Sequence, residues 1–195
     1  VLPFLAVDPR RPNVENIFKQ AFSEDEENPF PFFGIKVYPS LGYLPTDKKL
    51  MRIYAECEKY SIPVTAHCGS AIVRELNKTY DFIPFLGAIK ANRRNDPQNW
   101  KKVLDTYPDL HLNLAHFGST KAWDGRDWRD RQETIAEMMS NPNYPNLYAD
   151  FSFNMSEQEC IEELANKLKK SQNVANCTMY GSDFYMVNVE GPINE

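Results

Sequence analysis

The chain has little of what would direct it to a membrane, a nucleic acid or an oxidising compartment. None of its apolar runs approaches the ~18 residues that a membrane-spanning helix requires. No basic segment followed by an apolar stretch, the pattern of a secretory signal, is visible at its start. Positive charge is in deficit: 22 Lys and Arg face 27 Asp and Glu, for a net charge of -5. That balance, with a pI near 5.3, argues against a surface that tracks phosphates, so nucleic acid is not an expected partner. Cysteine is sparse. Cys57, Cys68, Cys160 and Cys177 form no CxxC pair, and they read as reduced thiols of a cytoplasmic protein. No Gly-rich phosphate loop follows the first strand-like segment.

What is present is ordinary globular material, 42% hydrophobic and 25% charged, with ample length for one core. Strand-like runs recur at FLAVD (4–8), GIKVY (34–38), IPVTAH (62–67), HLNLAH (111–116), NLYADF around 147–151, and TMYGSD (178–183). Helical patterns alternate with them. In PTDKKLMRIYAECEKY, Leu50, Ile53, Tyr54 and Cys57 recur at i, i+3, i+4 and i+7, with Thr46 as the expected N-cap. DPQNWKKVLDTYP repeats the pattern with Trp100, Val103, Leu104 and Tyr107, capped by Asp96 with Pro97 in the first turn. SEQECIEELANKL carries a capping box, Ser156 with Glu159, and an apolar stripe of Ile161, Leu164, Ala165 and Leu168. Weaker helices fit 13–22 and 128–140. The long connection from His67 to Pro97 has no clean period, and such loops are usually functional or contain short elements of their own.

Strands alternating with helices imply right-handed βα units and a parallel sheet. A doubly wound sheet is one solution. A (β/α)8 barrel fits better, although such barrels take ~250 residues and eight strands, against about six here. The reading is therefore a single domain over 1–195, an α/β barrel of about six βα units with N-terminal strands missing. The opening VLPFLAVD, strand-like from the outset, adds to the expectation of a piece of a longer protein.

In parallel α/β folds the site lies at the C-terminal strand edges. Those edges should carry Asp8 and Arg10, Lys36, His67, His116, Asp150 and Asp183. Each has a plain alternative. His67 and His116 read equally well, singly, as hydrogen-bonded core histidines, and His111 begins its strand at the opposite face. Asp183 in GSDF could cap a turn. Asp8 and Arg10 are expected to pair with each other or cap the next helix. Lys36 could snorkel to the mouth. Together, two imidazoles and a carboxylate suit a divalent metal such as zinc, with manganese or iron as alternatives. A buried lysine beside a cation is disfavoured as ammonium. Once neutral, Lys36 could capture carbon dioxide and become an anionic carbamate ligand.

GIKVYPSLGYLPTD, IPVTAHCG, LNLAHFGS, NLYADFS and YGSDF, taken in order, resemble the amidohydrolase superfamily of metal-dependent hydrolases, in particular its amidohydrolase-related branch. KVYP is also similar to the lysine strand of dihydroorotases. The likeness runs over nearly the whole chain. It implies strands three to eight of a (β/α)8 barrel. Lys36 would match the strand-four lysine that is carboxylated in binuclear members. His67 and His116 would match the strand-five and strand-six metal histidines. Asp183 would match the strand-eight aspartate that binds metal and shuttles a proton. The family's first-strand His-x-His pair has no counterpart, because the three histidines are accounted for. The chain as given should therefore be crippled in catalysis, and an open barrel would favour self-association through its edges.

Three functions follow. The first is hydrolysis of an amide, ester or lactone of a small molecule, with Asp183 and His116 catalytic and Arg10 receiving a substrate anion. The second is non-oxidative decarboxylation of a small carboxylic acid, with Lys36 not a ligand. The third is an inactive barrel or binding domain.

Overall fold

The computed structural model describes residues 2–23, 32–69, 84–118, 128–152 and 158–181. Six parallel strands form one sheet: β1 Phe4–Val7, β2 Gly34–Val37, β3 Val64–His67, β4 Leu112–Ala115, β5 Leu147–Asp150 and β6 Thr178–Met179. Their spatial order is their chain order. A doubly wound sheet would reverse direction at a switch point, and this one does not. The chain is thus a partial α/β barrel, with consecutive strands stepping sideways through helical crossovers.

Those crossovers include α1 Val14–Ala21, α2 Lys48–Lys59, α3 Pro84–Arg94, α4 Lys101–Thr106, α5 Trp128–Met139, α6 Gln158–Lys170 and α7 Gln172–Asn176. Alternation along the strands assigns the two sheet faces. Ile35, Val37, Val64, Ala66, Leu112, Leu114 and Ala149 are all 0% exposed on the helix-covered face. Against them α2 presents the expected stripe of Leu50, Ile53, Tyr54 and Cys57, all buried. Full burial of a Leu or Ile side chain contributes about 1.5–3 kcal/mol, so this layer is where the sheet gains its stability. Tyr54 and Trp100 meet at 5.7 Å between ring centroids and join α2 to the next crossover.

Some local readings need correction. The N-cap of α2 is Asp47, whose carboxylate accepts from Lys49 N at 2.8 Å, rather than Thr46. Asp96 does cap its segment, accepting from Gln98 N at 3.0 Å, but Pro97–Trp100 form a 3-10 turn before α4 begins. On α6 the buried residues are Cys160 and Leu164, whereas Ile161 is exposed. Leu164 and Leu168 of the expected stripe do pack on the core, so only its first position moves, from Ile161 to Cys160, which packs as a small apolar residue. Ser156 of the expected capping box lies outside the described residues. The long connection after His67 does hold an element of its own, α3. All four cysteines are free thiols. Burial pushes the Cys68 thiol up to about 12, so it stays protonated. No helix of the described residues is long and apolar enough to cross a membrane.

Candidate functional site

The face of the sheet turned away from the helices is polar. Register aligns Lys36 with Thr65, Thr65 with Asn113, and Asn113 with Tyr148, one residue from each of four strands. All four are half-buried, while their sequence neighbours on the helix face are sealed. Two residues further along each strand, on the same face, stand Tyr38, His67, Ala115 and Asp150. The site is therefore two stacked rows, with Lys36 in the row beneath the histidines rather than at the strand tip. A cavity of about 300 Å³ opens here, lined by Lys36, Thr65, Asn113, His116, Asp150 and Ser152, among others.

His67 ends β3 and His116 follows β4, and both are over nine-tenths buried. Their ring centroids lie 4.9 Å apart in an edge-to-face arrangement. Tyr38 stacks flat on His67 at 4.1 Å with 10° between planes, which fixes that imidazole's orientation. The backbone at His116 is unusual. His116, Phe117 and Gly118 all have positive φ, at 70°, 43° and 83°. For an L-residue each such conformation costs roughly 1–2 kcal/mol, so the turn must be held from outside. The Asp150 carboxylate accepts from His116 N at 3.1 Å. Gly118 N donates to Cys68 O at 3.2 Å, and Arg131 Nε donates to Gly118 O at 2.8 Å. At Gly118 a Cβ would lie 2.9 Å from Arg131 Cβ, so glycine is required there.

Asp150 is the hub of the polar network. Its Oδ2 accepts from Asn113 Nδ2 at 2.7 Å, and its Oδ1 accepts from the Ser152 hydroxyl and from Ser152 N. Burial pushes its carboxyl up, but the hydrogen bonds from Ser152, Asn113 and the His116 backbone outweigh that and hold it below its ordinary value. It is an ionised acceptor saturated by protein donors. Ser152 in turn meets His116 Nδ1, at 2.9 Å from its Oγ and 3.3 Å from its carbonyl oxygen.

Of the residues singled out from sequence, Lys36, His116 and Asp150 share the cavity, and His67 abuts His116. Arg10 does not line the cavity. Its guanidinium forks onto Asp8 at 2.7 Å, donates to Leu41 O and lies 5.9 Å from the Tyr43 ring centroid. Asp183 lies outside the described residues. Sequence reasoning passed over Thr65, Asn113 and Ser152. A signal for the first two was available: each is a polar residue two positions before a strand end, in VTAH and LNLA, and so on the face that carries the site.

For a metal, the two imidazoles are suitable nitrogen donors, with Ser152 leaving His116 Nε2 as that ring's second position. Asp150 is unsuited, its lone pairs being taken. No group of three or more His, Cys, Asp or Glu among the described residues is disposed to hold a metal ion. A full ligand set would draw on Lys36 or Asp183 as well.

A partial parallel α/β barrel of six strands, with histidines at its C-terminal strand ends, has the architecture of barrels that build their sites from strand-end loops. The model of the family described as Amidohydrolase matches residues 9–195, and the chain belongs to that family. Among solved structures, it is similar to a 2,6-dihydroxybenzoate decarboxylase from Rhizobium, with a TM-score of 0.56 and 17% identity over 95% of this chain and 60% of that one. A 2,6-dihydroxybenzoate decarboxylase complexed with 2,6-dihydroxybenzoate gives 0.54 and 15%, again over 95% and 60%. An uncharacterized TIM-barrel protein from Bordetella bronchiseptica gives 0.52 and 18%, over 78% and 45%. The chain therefore spans about 60% or less of the length of these structures. Comparison with curated proteins finds no match.

Proposed function

We propose that this chain carries the site of a metal-dependent, non-oxidative decarboxylase acting on a small aromatic carboxylic acid. The observation that carries the reading is the cavity in which Lys36 lies in the row beneath the two histidines. Its volume of about 300 Å³ is at the low end of the range for small-molecule sites, suited to a single substituted ring. A lysine in that row suits an anionic substrate group, as a cation would, without serving as a metal ligand. The decarboxylases named among the similar structures act on acids of this kind, which adds support.

In such a reaction the bond between ring carbon and carboxylate breaks, carbon dioxide leaves, and its electron pair stays on the ring carbon, which takes a proton. Asp183 is the residue assigned to deliver that proton. His116 is assigned to take or hold a proton on a substrate oxygen, and Lys36 to bind the substrate's anionic group. A divalent metal such as zinc, manganese or iron, when bound, would supply Lewis-acid polarisation of a substrate oxygen. His67 and Asp183 are the residues assigned to hold it, with His116 Nε2 kept for the substrate.

A second reading is hydrolysis of an amide, ester or lactone, with Lys36 carboxylated as a further ligand. It is favoured by the placement of Lys36 in the same cavity as His116. Metal content after incubation with zinc or manganese, followed by assay of carbon dioxide release from dihydroxybenzoates, separates the two. The expected result is stoichiometric metal that His67→Ala loses, and carbon dioxide release that His116→Ala abolishes. Bond hydrolysis without carbon dioxide would move the assignment to the second reading. Protein that binds no metal and acts on neither substrate type would reject both.

A further inference from the structure

The contacts around His116 fix more than its position. Nδ1 of the imidazole faces two oxygens of Ser152, the carbonyl at 3.3 Å and the hydroxyl at 2.9 Å. A carbonyl only accepts. The hydroxyl could donate or accept, but its single proton is committed to Asp150 Oδ1. Asp150 is an ionised carboxylate that accepts from Asn113 Nδ2, His116 N and Ser152 N as well, so no hydrogen bond can run the other way. Both oxygens facing Nδ1 are therefore acceptors, and the proton must sit on Nδ1.

We infer that Ser152, held by Asp150, is a positioning residue that sets the His116 tautomer, placing the proton on Nδ1 and leaving Nε2 as the lone-pair nitrogen. The relay runs from carboxylate through hydroxyl to imidazole, with the serine as a spacer where a direct carboxylate–histidine contact is the commoner design. One carboxylate has two tasks in it. It holds the left-handed backbone at His116 through the amide and orders the ring through Ser152. The consequence for function rests on the reading proposed above. A ring whose Nε2 is an acceptor can ligate a metal or take a substrate proton, whereas the other tautomer would present an N–H and do neither.

The test is the tautomer itself, read on the metal-free 195-residue chain by 15N-edited NMR of histidine-labelled protein at about pH 8.5, where an ordinary imidazole is neutral. With three histidines in the chain, His116→Gln assigns the signal by its loss. The expected spectrum has His116 Nδ1 at the protonated shift and Nε2 at the unprotonated one. Ser152→Ala should move both nitrogens toward averaged values, because only the weaker carbonyl acceptor remains, and Ser152→Thr should restore the original pattern. Wild-type protein with the proton on Nε2 overturns the inference outright, whether or not any variant folds. So does a Ser152→Ala spectrum identical to wild type. The measurement needs neither metal nor turnover. An inert chain with the expected tautomer would sink the decarboxylase reading alone, and an active chain with the opposite tautomer would sink this inference alone.

Discussion

The Asp8 carboxylate takes the Arg10 guanidinium at 2.7, 3.0 and 3.2 Å, and the Arg10 amide at 2.9 Å. These contacts outweigh the smaller effect of burial and hold the Asp8 carboxyl below its ordinary value of 3.8. Since the folded-state pKa is depressed, the stabilisation is fully present above the unfolded value. It is lost as pH falls below 3.8 through the folded value. The Arg10 side chain is 43% exposed, so solvent screens the pair and its worth is under about 1 kcal/mol. Arg10→Met should thus lower stability slightly at neutral pH, with the gap to wild type narrowing under acid. Urea titrations at neutral pH and near pH 3 check this. A gap that stays constant would mean that Arg10 acts through Leu41 and Tyr43 rather than through Asp8. Asp150 obeys the same logic of saturation. Reading each acid as a separate candidate underrated it, since nothing in NLYADFS announces that one carboxylate will gather donors from Asn113, His116 and Ser152. Ser152 is only two residues on, but Asn113 and His116 come from the neighbouring strand and its turn, 37 and 34 residues away, which a linear pattern does not encode.

At the scale of elements, β2 is enclosed by β1 and β3 and begins on a glycine with little room. A Cβ at Gly34 would lie 2.5 Å from Phe4 Cε1 and 2.5 Å from Pro63 O. The phenyl ring could swing aside, but Pro63 O is main chain and already accepts from Ile35 N at 2.9 Å. Relief would require moving one strand against another. Gly34→Ala should therefore destabilise the chain by about 1–3 kcal/mol, the usual cost of overpacking, despite alanine's better intrinsic propensity. Chemical denaturation decides it, and an unchanged midpoint would show that the β2–β3 register is softer than these distances imply. The elements themselves were legible where a period was strong. The stripe of α2 came out residue for residue, because four apolar side chains at helical spacing admit one buried face. On α6 Leu164 and Leu168 pack as expected and only the first position slipped, since Cys160 and Ile161 are adjacent and hydrophobicity alone cannot choose between them. The α2 cap slipped in the same way between Thr46 and Asp47, two residues that are both good caps.

For the whole molecule, strand order was readable from the alternation of elements because right-handed crossovers leave few ways to lay six parallel strands side by side. The polar face was less readable. In a closed barrel the inner face is a packed core of branched aliphatic residues, whereas here it holds Lys36, Thr65, Asn113 and Tyr148, all half-buried. Strands sealed on one face and polar on the other leave the edges of the sheet to be considered. Among the described residues β1 pairs only with β2, and β6 only with β5. An unpaired edge is a template for another chain, to a degree set by its length and its charge. β6 is two residues long and offers little. β1 has four residues, none charged, and its inward-facing Ala6 is exposed. The 195-residue chain should accordingly self-associate through β1 as its concentration rises. Ala6→Lys would place a charge on that edge in register with Lys36, and should suppress association by repulsion without disturbing the helix-covered core. Sedimentation velocity across a tenfold or wider concentration range reads both proteins. A wild-type chain that is monomeric throughout would mean that β1 is already protected, and association unaffected by Ala6→Lys would place the contact elsewhere.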